Sequence, residues 1–185
     1  MRTILALLLA FLLQSTEPQH QPDLEPLLHD PAALQKLKIL YEPPAHKSYQ
    51  ALFVYGDGSI IWQAYPERLM SVTDVPTCKS KISDDRVKSL IRLMIEKHFV
   101  DLPEKRFVLV FAGQRNEELE LHSIAVDDGL RRTSRTFGTG DYGGKQEFIP
   151  PDFVSIEEEL KQLKDSTFPT SAKTCHLAPA IKFRN

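Results

Sequence analysis

The chain lacks most of the features that announce a chemistry. Its 185 residues hold two cysteines and one tryptophan, and no apolar run approaches the roughly 20 residues that a membrane-crossing helix needs. Two isolated cysteines cannot supply the closely spaced pairs of a zinc site. The six histidines (His20, His29, His46, His98, His122 and His176) never fall into a His-x-x-x-His or His-Glu-x-x-His spacing, so a zinc-protease reading has no support. Charge of one sign is missing as well: 23 basic side chains face 25 acidic ones without a long block of either. Such a balance gives no field to steer the chain onto DNA, RNA or anionic lipid, and nucleic acid drops out as a partner. Against these absences stands an apolar content of 42%, ample for a packed core and contrary to a wholly disordered chain.

Met1 and Arg2 give a short positive start. Thr3 to Leu13 is an almost unbroken apolar run, and Gln14, Ser15, Thr16 and Glu17 follow as a polar segment. This is the layout of a secretory signal peptide, with the cut expected near Ser15. No cysteine lies near the end of the run, so a lipid-modified cysteine is ruled out as an anchor. The expected product is secreted or periplasmic, with no stable membrane insertion after cleavage.

Cys78 and Cys175 are an even count in a chain directed to an oxidising compartment, which predicts one disulfide. The closed loop spans 97 residues, for which chain entropy gives about 4 to 5 kcal/mol. Its expected use is to pin the tail, which carries Pro169 and Pro179 and little periodicity. A nucleophilic thiolate would need Cys175 to work with His176, or Cys78 with Lys79. Neighbours in sequence rarely meet in the geometry that a thiol and its base require.

Prolines crowd the start at Pro18, Pro22, Pro26, Pro31, Pro43 and Pro44, and no glycine occurs before Gly56. Four segments are expected: a signal peptide over 1–15, a proline-rich leader over 16–47, an α+β domain over 48–167 and a tail over 168–185. Within the leader, Asp30 and Pro31 form a good helix start, and Leu34, Leu37 and Leu40 or Tyr41 recur at helical spacing until Pro43 and Pro44. From Ser48 the period changes to two. Tyr49 to Tyr55 and Ser59 to Tyr65 flank Gly56-Asp57-Gly58, a hairpin signal. A short strand is expected from Leu69 to Val75, ended by Pro76. Ser83 caps a helix whose stripe is Val87, Leu90, Ile91, Met94 and His98 or Phe99. Phe107 to Ala112, Leu119 to Val126 and Leu130 to Phe137 read as strands joined by two hairpin connections, Gly113 to Glu118 and Asp127-Asp128-Gly129. A last helix carries Phe153, Ile156, Leu160 and Leu163, with Glu157, Glu158, Glu159, Lys161 and Lys164 expected on its solvated face. The fold class is α+β: an antiparallel sheet built from hairpins, with a central and a C-terminal helix packed on one face.

The Gly-Asp-Gly-Ser hairpin (Tyr55 to Ile61), the Ser-capped helix ending in His-Phe-x-x-Leu (Ser83 to Leu102), the paired strands and the Pro-started final helix (Pro150 to Leu163) form a layout. In this layout the chain resembles a family of uncharacterised exported bacterial proteins grouped as a domain of unknown function. The resemblance covers about residues 48 to 165. It implies an exported bacterial α+β domain and carries no catalytic residue over.

Gly138-Thr139-Gly140-Asp141-Tyr142-Gly143 has the glycine spacing of a dinucleotide fingerprint. That fingerprint needs a helix starting inside the glycine run and a surrounding βαβ unit, and neither is expected here. A phosphate loop fails too, with Thr139 at the first glycine position and Gln146 at the hydroxyl position. The segment is instead a connection or a recognition loop using Asp141 and Tyr142. Gly56-Asp57-Gly58-Ser59 and Asp127-Asp128-Gly129 are too short for a calcium loop and read as turns. Arg131, Thr133 and Arg135 share one face of a strand, either as an exposed edge kept soluble by charge or as a basic docking strip for an acidic partner or polysaccharide. No cofactor is expected. The favoured function is an exported non-catalytic domain that recognises an exported protein or envelope component. The alternative is a small exported hydrolase using His122 with Asp127 or Asp128.

Overall fold

A computed structural model describes residues 22–44, 48–66, 74–104, 120–139, 141–142, 145–146, 149–168 and 175–181. Two single-turn helices come first, α1 (Pro26–His29) and α2 (Pro31–Leu34), each with proline in its first turn, where a missing N–H costs nothing. Asp30 caps α2 by accepting from the Ala32 N–H at 2.8 Å. The expected continuation of this helix to Leu40 or Tyr41 gives way to a strand, β1 (Lys38–Glu42). Leu34, Leu37, Leu40 and Tyr41 fit a helical stripe, but Ile39, Leu40 and Tyr41 are buried consecutively. A short apolar run of this kind, carrying a β-branched and an aromatic residue, suits a strand covered on both faces.

The sheet is antiparallel throughout, in the order β6 (Arg132–Thr139), β5 (Glu120–Asp127), β1, β2 (Ser48–Tyr55), β3 (Ser59–Pro66), β4 (Asp74–Lys81), β9 (His176–Pro179). β2 (Ser48–Tyr55) and β3 (Ser59–Pro66) form the expected hairpin, closed by Asp57, which accepts from the Ser59 N–H and hydroxyl. β4 (Asp74–Lys81) runs through Pro76 instead of ending before it; Leu69 to Thr73 lie outside the described residues. Pro76 pairs with Leu177 on one side of β4, while on the other side the β3–β4 register stops one residue short of it, at Gln63↔Thr77. β5 (Glu120–Asp127) and β6 (Arg132–Thr139) pair as expected around the Asp127-Asp128-Gly129 turn. β5 has β1 on its other side. The expected strand Phe107 to Ala112 and the connection Gly113 to Glu118 fall outside the described residues, as does the signal segment 1–15. β1 joins β2 to β5, so the supposed leader supplies a middle strand of the sheet.

The central helix, α3 (Asp84–Glu96), is capped by the Ser83 hydroxyl and buries Val87, Leu90, Ile91 and Met94. A 3-10 turn (Phe99–Asp101) follows. Between β6 and the last helix, Asp141–Tyr142 (β7) and Lys145–Gln146 (β8) pair as a minimal antiparallel ladder. The last helix, α4 (Pro151–Thr167), buries Phe153, Ile156, Leu160 and Leu163.

The buried helix residues belong to one cluster with Ile39, Tyr41, Leu52, Val54, Ile60, Trp62, Ile124, Val126 and Phe137, which alternate along the strands. The residues between them, Leu40, Ala51, Phe53 and Ala125, form a second, smaller cluster on the other side of the sheet. α4 crosses the first of these faces. Phe153 stacks edge-on against Phe137 of β6 at 4.7 Å between centroids, and Lys164 sits 5.2 Å over the Trp62 ring of β3. Beyond the helix the chain returns to β4 through the Cys78–Cys175 disulfide, whose Cα atoms are 4.7 Å apart, and continues as β9 (His176–Pro179) on the outer edge of β4. The tail is therefore pinned as expected, and as an added strand. Gly56 fixes the other end of the hairpin: its N–H donates to the Leu37 carbonyl at 3.0 Å, and a Cβ placed there would lie 1.5 Å from the Leu34 carbonyl oxygen. Only glycine lets α2 approach the β2–β3 turn this closely.

Candidate functional site

The β5–β6 turn is built from its two aspartates. The Asp127 carboxylate accepts from the Gly129 N–H at 2.8 Å, the Asp128 carboxylate from the Leu130 and Arg131 N–H groups at 2.8 and 2.7 Å, and the Asp128 N–H donates to the Arg131 carbonyl at 3.1 Å. Gly129 takes the positive φ of +87° that the reversal requires. These bonds hold the backbone rigidly while its apolar residue, Leu130, stands 83% exposed between Gly129 and Arg131. A turn whose backbone is already fixed gives up less backbone freedom on contact with another surface than a loose loop does.

The basic strip does not extend along the strand from this turn. Thr133 is buried and Arg135 is only 5% exposed. The Arg135 guanidinium donates to the Thr133 hydroxyl at 2.7 Å, to the Ser134 carbonyl at 3.0 Å and to the Val100 carbonyl, tying β6 to the turn after α3. Burial lowers its pKa, an effect opposed by the charges of Glu104 and Asp101. Arg135 thus corrects the docking-strip expectation: alternation placed it on the face of Thr133 and Phe137, and that face is the core.

His122 does meet a carboxylate, but neither expected one. It stands an odd number of residues from Asp127 along one strand, so the two side chains leave opposite faces, and both aspartates are spent on turn amides. Its partner is Glu157 of α4: the imidazole Nδ1–H donates to Glu157 Oε1 at 2.7 Å, with both side chains close to nine-tenths buried. The same carboxylate oxygen accepts from the Tyr41 hydroxyl of β1 at 3.0 Å. Burial, the negative charge of Glu157 and the hydrogen bond to it together raise the Tyr41 pKa well above the ordinary phenol value. The far imidazole nitrogen, Nε2, is buried without a hydrogen-bond partner among the described residues. A carboxylate holding Nδ1 is how a general base is oriented, yet a base needs a nucleophile or substrate proton at Nε2. Ser123, the nearest hydroxyl in sequence, leaves the opposite face and bonds Thr136 at 3.1 Å. The arrangement ties α4 to β1 and β5.

Glu157 turns inward instead of lying on the solvated face of α4 expected for it, and other charged residues of that helix are engaged as well. Glu159 pairs with Arg86 of α3 at 2.5 Å, and Lys164 covers Trp62. Sequence reasoning missed Glu157 because a run of three glutamates hides the one that points inward. Its position one residue after Ile156 and three before Leu160 was the available signal. Asp141 and Tyr142 of the expected recognition loop lie in β7, paired with Gln146 and Lys145. Among the described residues no group of three or more His, Cys, Asp or Glu side chains is placed to hold a metal, and no helix is long and apolar enough to cross a membrane.

The class these features define is an α+β domain with an all-antiparallel seven-stranded sheet and one intramolecular disulfide. Comparison with protein-family models, curated proteins and solved structures finds no match for the chain.

Proposed function

We propose that the protein is an exported, non-catalytic recognition domain that engages a protein or cell-envelope component through the β5–β6 turn. The observation that carries this reading is Leu130, exposed to water on a turn locked by Asp127 and Asp128 and followed directly by Arg131. The signal-peptide layout of residues 1–15 and the Cys78–Cys175 disulfide support the exported half of the reading, since such a bond persists in an oxidising compartment. The recognition half gains support from how the conspicuous polar groups are used: His122, Asp127, Asp128 and Arg135 each serve an internal bond, which leaves the turn as the presented feature.

Capture from an envelope extract by the immobilised, oxidised protein tests the reading. Burying one leucine side chain is worth roughly 1.5 to 3 kcal/mol, so Leu130→Asp should weaken retention of the captured component by about tenfold or more. The thermal midpoint should stay within experimental scatter of wild type, because the side chain touches little of the fold. A variant that retains the same component equally well overturns the proposal.

A further inference from the structure

Tyr49 and Leu121 stand 45% and 41% exposed, and alternation puts both on the sheet face of the smaller cluster, the face of Leu40, Ala51, Phe53 and Ala125. Glu42, the last residue of β1, lies on that face between them. The β1–β5 register sets Glu42 opposite Ser123, with Leu121 two residues further along β5. On the other side, Tyr41↔Leu52 sets Glu42 beside Ala51, with Tyr49 two residues further along β2. Diagonal neighbours of this kind are about 7–8 Å apart, within reach of aromatic and long side chains. Tyr49 pairs with Tyr65 of β3, and the two rings meet edge to face at 5.1 Å between centroids and 69° between planes. The Tyr65 ring is fixed in turn, because its hydroxyl donates to the fully buried Gln63 carboxamide at 2.7 Å.

Glu42 is the member of this group whose charge is left over. It is partly buried, and burial raises its pKa, opposed by a hydrogen bond from the Ser123 hydroxyl and by the charge of Arg132. Burial first, and the Glu42 charge next, raise the pKa of Tyr65, which puts the carboxylate near that ring. Yet no salt bridge to Glu42 forms among the described residues. A carboxylate withdrawn from water without a paired cation carries an uncompensated desolvation cost. Tyrosine ring faces attract the same sign of charge that the carboxylate does. We propose that Glu42, Tyr49 and Tyr65 form a receptor for a lysine side chain of a protein partner, with Leu121 covering the alkyl stem. A compact ammonium suits the corner between two crossed rings, whereas a planar guanidinium stacks on one face. A quaternary ammonium would bring no N–H to the carboxylate. The lysine stem is apolar and lies readily along a leucine while its head stays polar. The site is at the end of β5 away from the Leu130 turn and stands whether or not that turn binds.

The test uses the full, oxidised chain, labelled for amide NMR and titrated with the blocked tripeptide Gly-Lys-Gly or with its norleucine counterpart, which lacks the ammonium. Saturable shifts at the amides of Glu42, Tyr49, Tyr65 and Leu121 are expected with the lysine peptide and none with the norleucine one. Glu42→Gln should weaken the binding about tenfold or more, and Tyr49→Leu about threefold. The thermal midpoint of Glu42→Gln should stay at or above that of wild type, since an unpaired charge is removed, and a purely structural carboxylate would lower it. Leu130→Asp should leave the lysine peptide's binding unchanged, so this site and the turn can fail separately. The proposal is overturned if the lysine peptide shifts none of these amides, if the norleucine peptide shifts them equally, or if Glu42→Gln binds as tightly as wild type. Retention on phosphatidylethanolamine vesicles without any peptide shift would also overturn it, in favour of a lipid amine.

Discussion

Tyr41→Phe should change the alkaline stability of this protein in a way that only the Glu157 contact explains. The Tyr41 hydroxyl is buried and donates to Glu157 at 3.0 Å, and its pKa is raised by burial first and by the Glu157 charge and hydrogen bond next. In the unfolded chain the phenol titrates near its ordinary value of about 10. Above that pH the folded protein keeps a proton that the unfolded chain has lost. Stability from this group is therefore complete below about pH 10 and falls as pH rises, by up to about 1.4 kcal/mol per pH unit. At pH 8 the variant loses a hydrogen bond to a charged acceptor, about 1.5 kcal/mol. At pH 11 the wild type has itself lost about 1.4 kcal/mol to Tyr41 ionisation in the unfolded chain, a loss the variant does not share. The two stability curves should converge near pH 11. Tyr55 and Tyr65, whose pKa values burial also raises, are present in both proteins and cancel in the difference. Urea unfolding followed by the fluorescence of the single tryptophan, Trp62, between pH 8 and 11.5 measures both curves. A gap that stays constant across that range would refute the reasoning, because it would mean that Tyr41 ionises in the folded protein as readily as in the unfolded one.

Other substitutions probe the remaining joints. Arg135→Met keeps the bulk of the side chain but removes the donors that serve Thr133, Ser134 and Val100. It should destabilise by roughly 2 to 3 kcal/mol in urea, whereas a surface arginine would cost almost nothing. Gly56→Ala drives a methyl group into the Leu34 carbonyl and must displace backbone; a loss of about 3 kcal/mol or more is expected, seen as a lower thermal midpoint. Gly129→Ala meets the side chain of Lys36 at a positive φ of +87°. It should disturb the Leu130 turn and weaken capture of the envelope component together with stability, whereas Leu130→Asp should weaken capture alone.

How far the chain could be read in advance depends on how local each determinant is. The β2–β3 hairpin, the Ser83 cap and stripe of α3, the aspartate turn and the buried stripe of α4 rest on neighbours within a few residues, and all are found where alternation and capping place them. β1 resists local reading because Leu34, Leu37, Leu40 and Tyr41 fit a helical stripe, while Ile39, Leu40 and Tyr41 are a short apolar run that a strand covered on both faces also accommodates. The deciding fact, that both its neighbours β2 and β5 arrive later in the chain, has no local trace. The same holds for β9, whose partner β4 lies about a hundred residues earlier. Only the cysteine count hinted at it, by placing Cys175 beside the segment it pins.

The polar core shows why candidate sites are harder still. Tyr41 and Glu157 stand 116 residues apart, and His122 and Glu157 35 apart, so no spacing rule links them. Sequence reasoning looked for a carboxylate near His122 along the strand, where alternation sends Asp127 to the other face. It also took Arg135 for surface because arginine is rarely buried without partners, although those partners are a hydroxyl and two carbonyls. A charge whose satisfaction is mostly main-chain leaves no mark in composition. Once internal partners are assigned to His122, Asp127, Asp128 and Arg135, the two most exposed large apolar side chains among the described residues, Leu130 and Leu177, fall one near each edge of the sheet. If the β5–β6 turn is the recognition surface proposed above, a polar substitution at Leu177 should leave capture intact while Leu130→Asp weakens it.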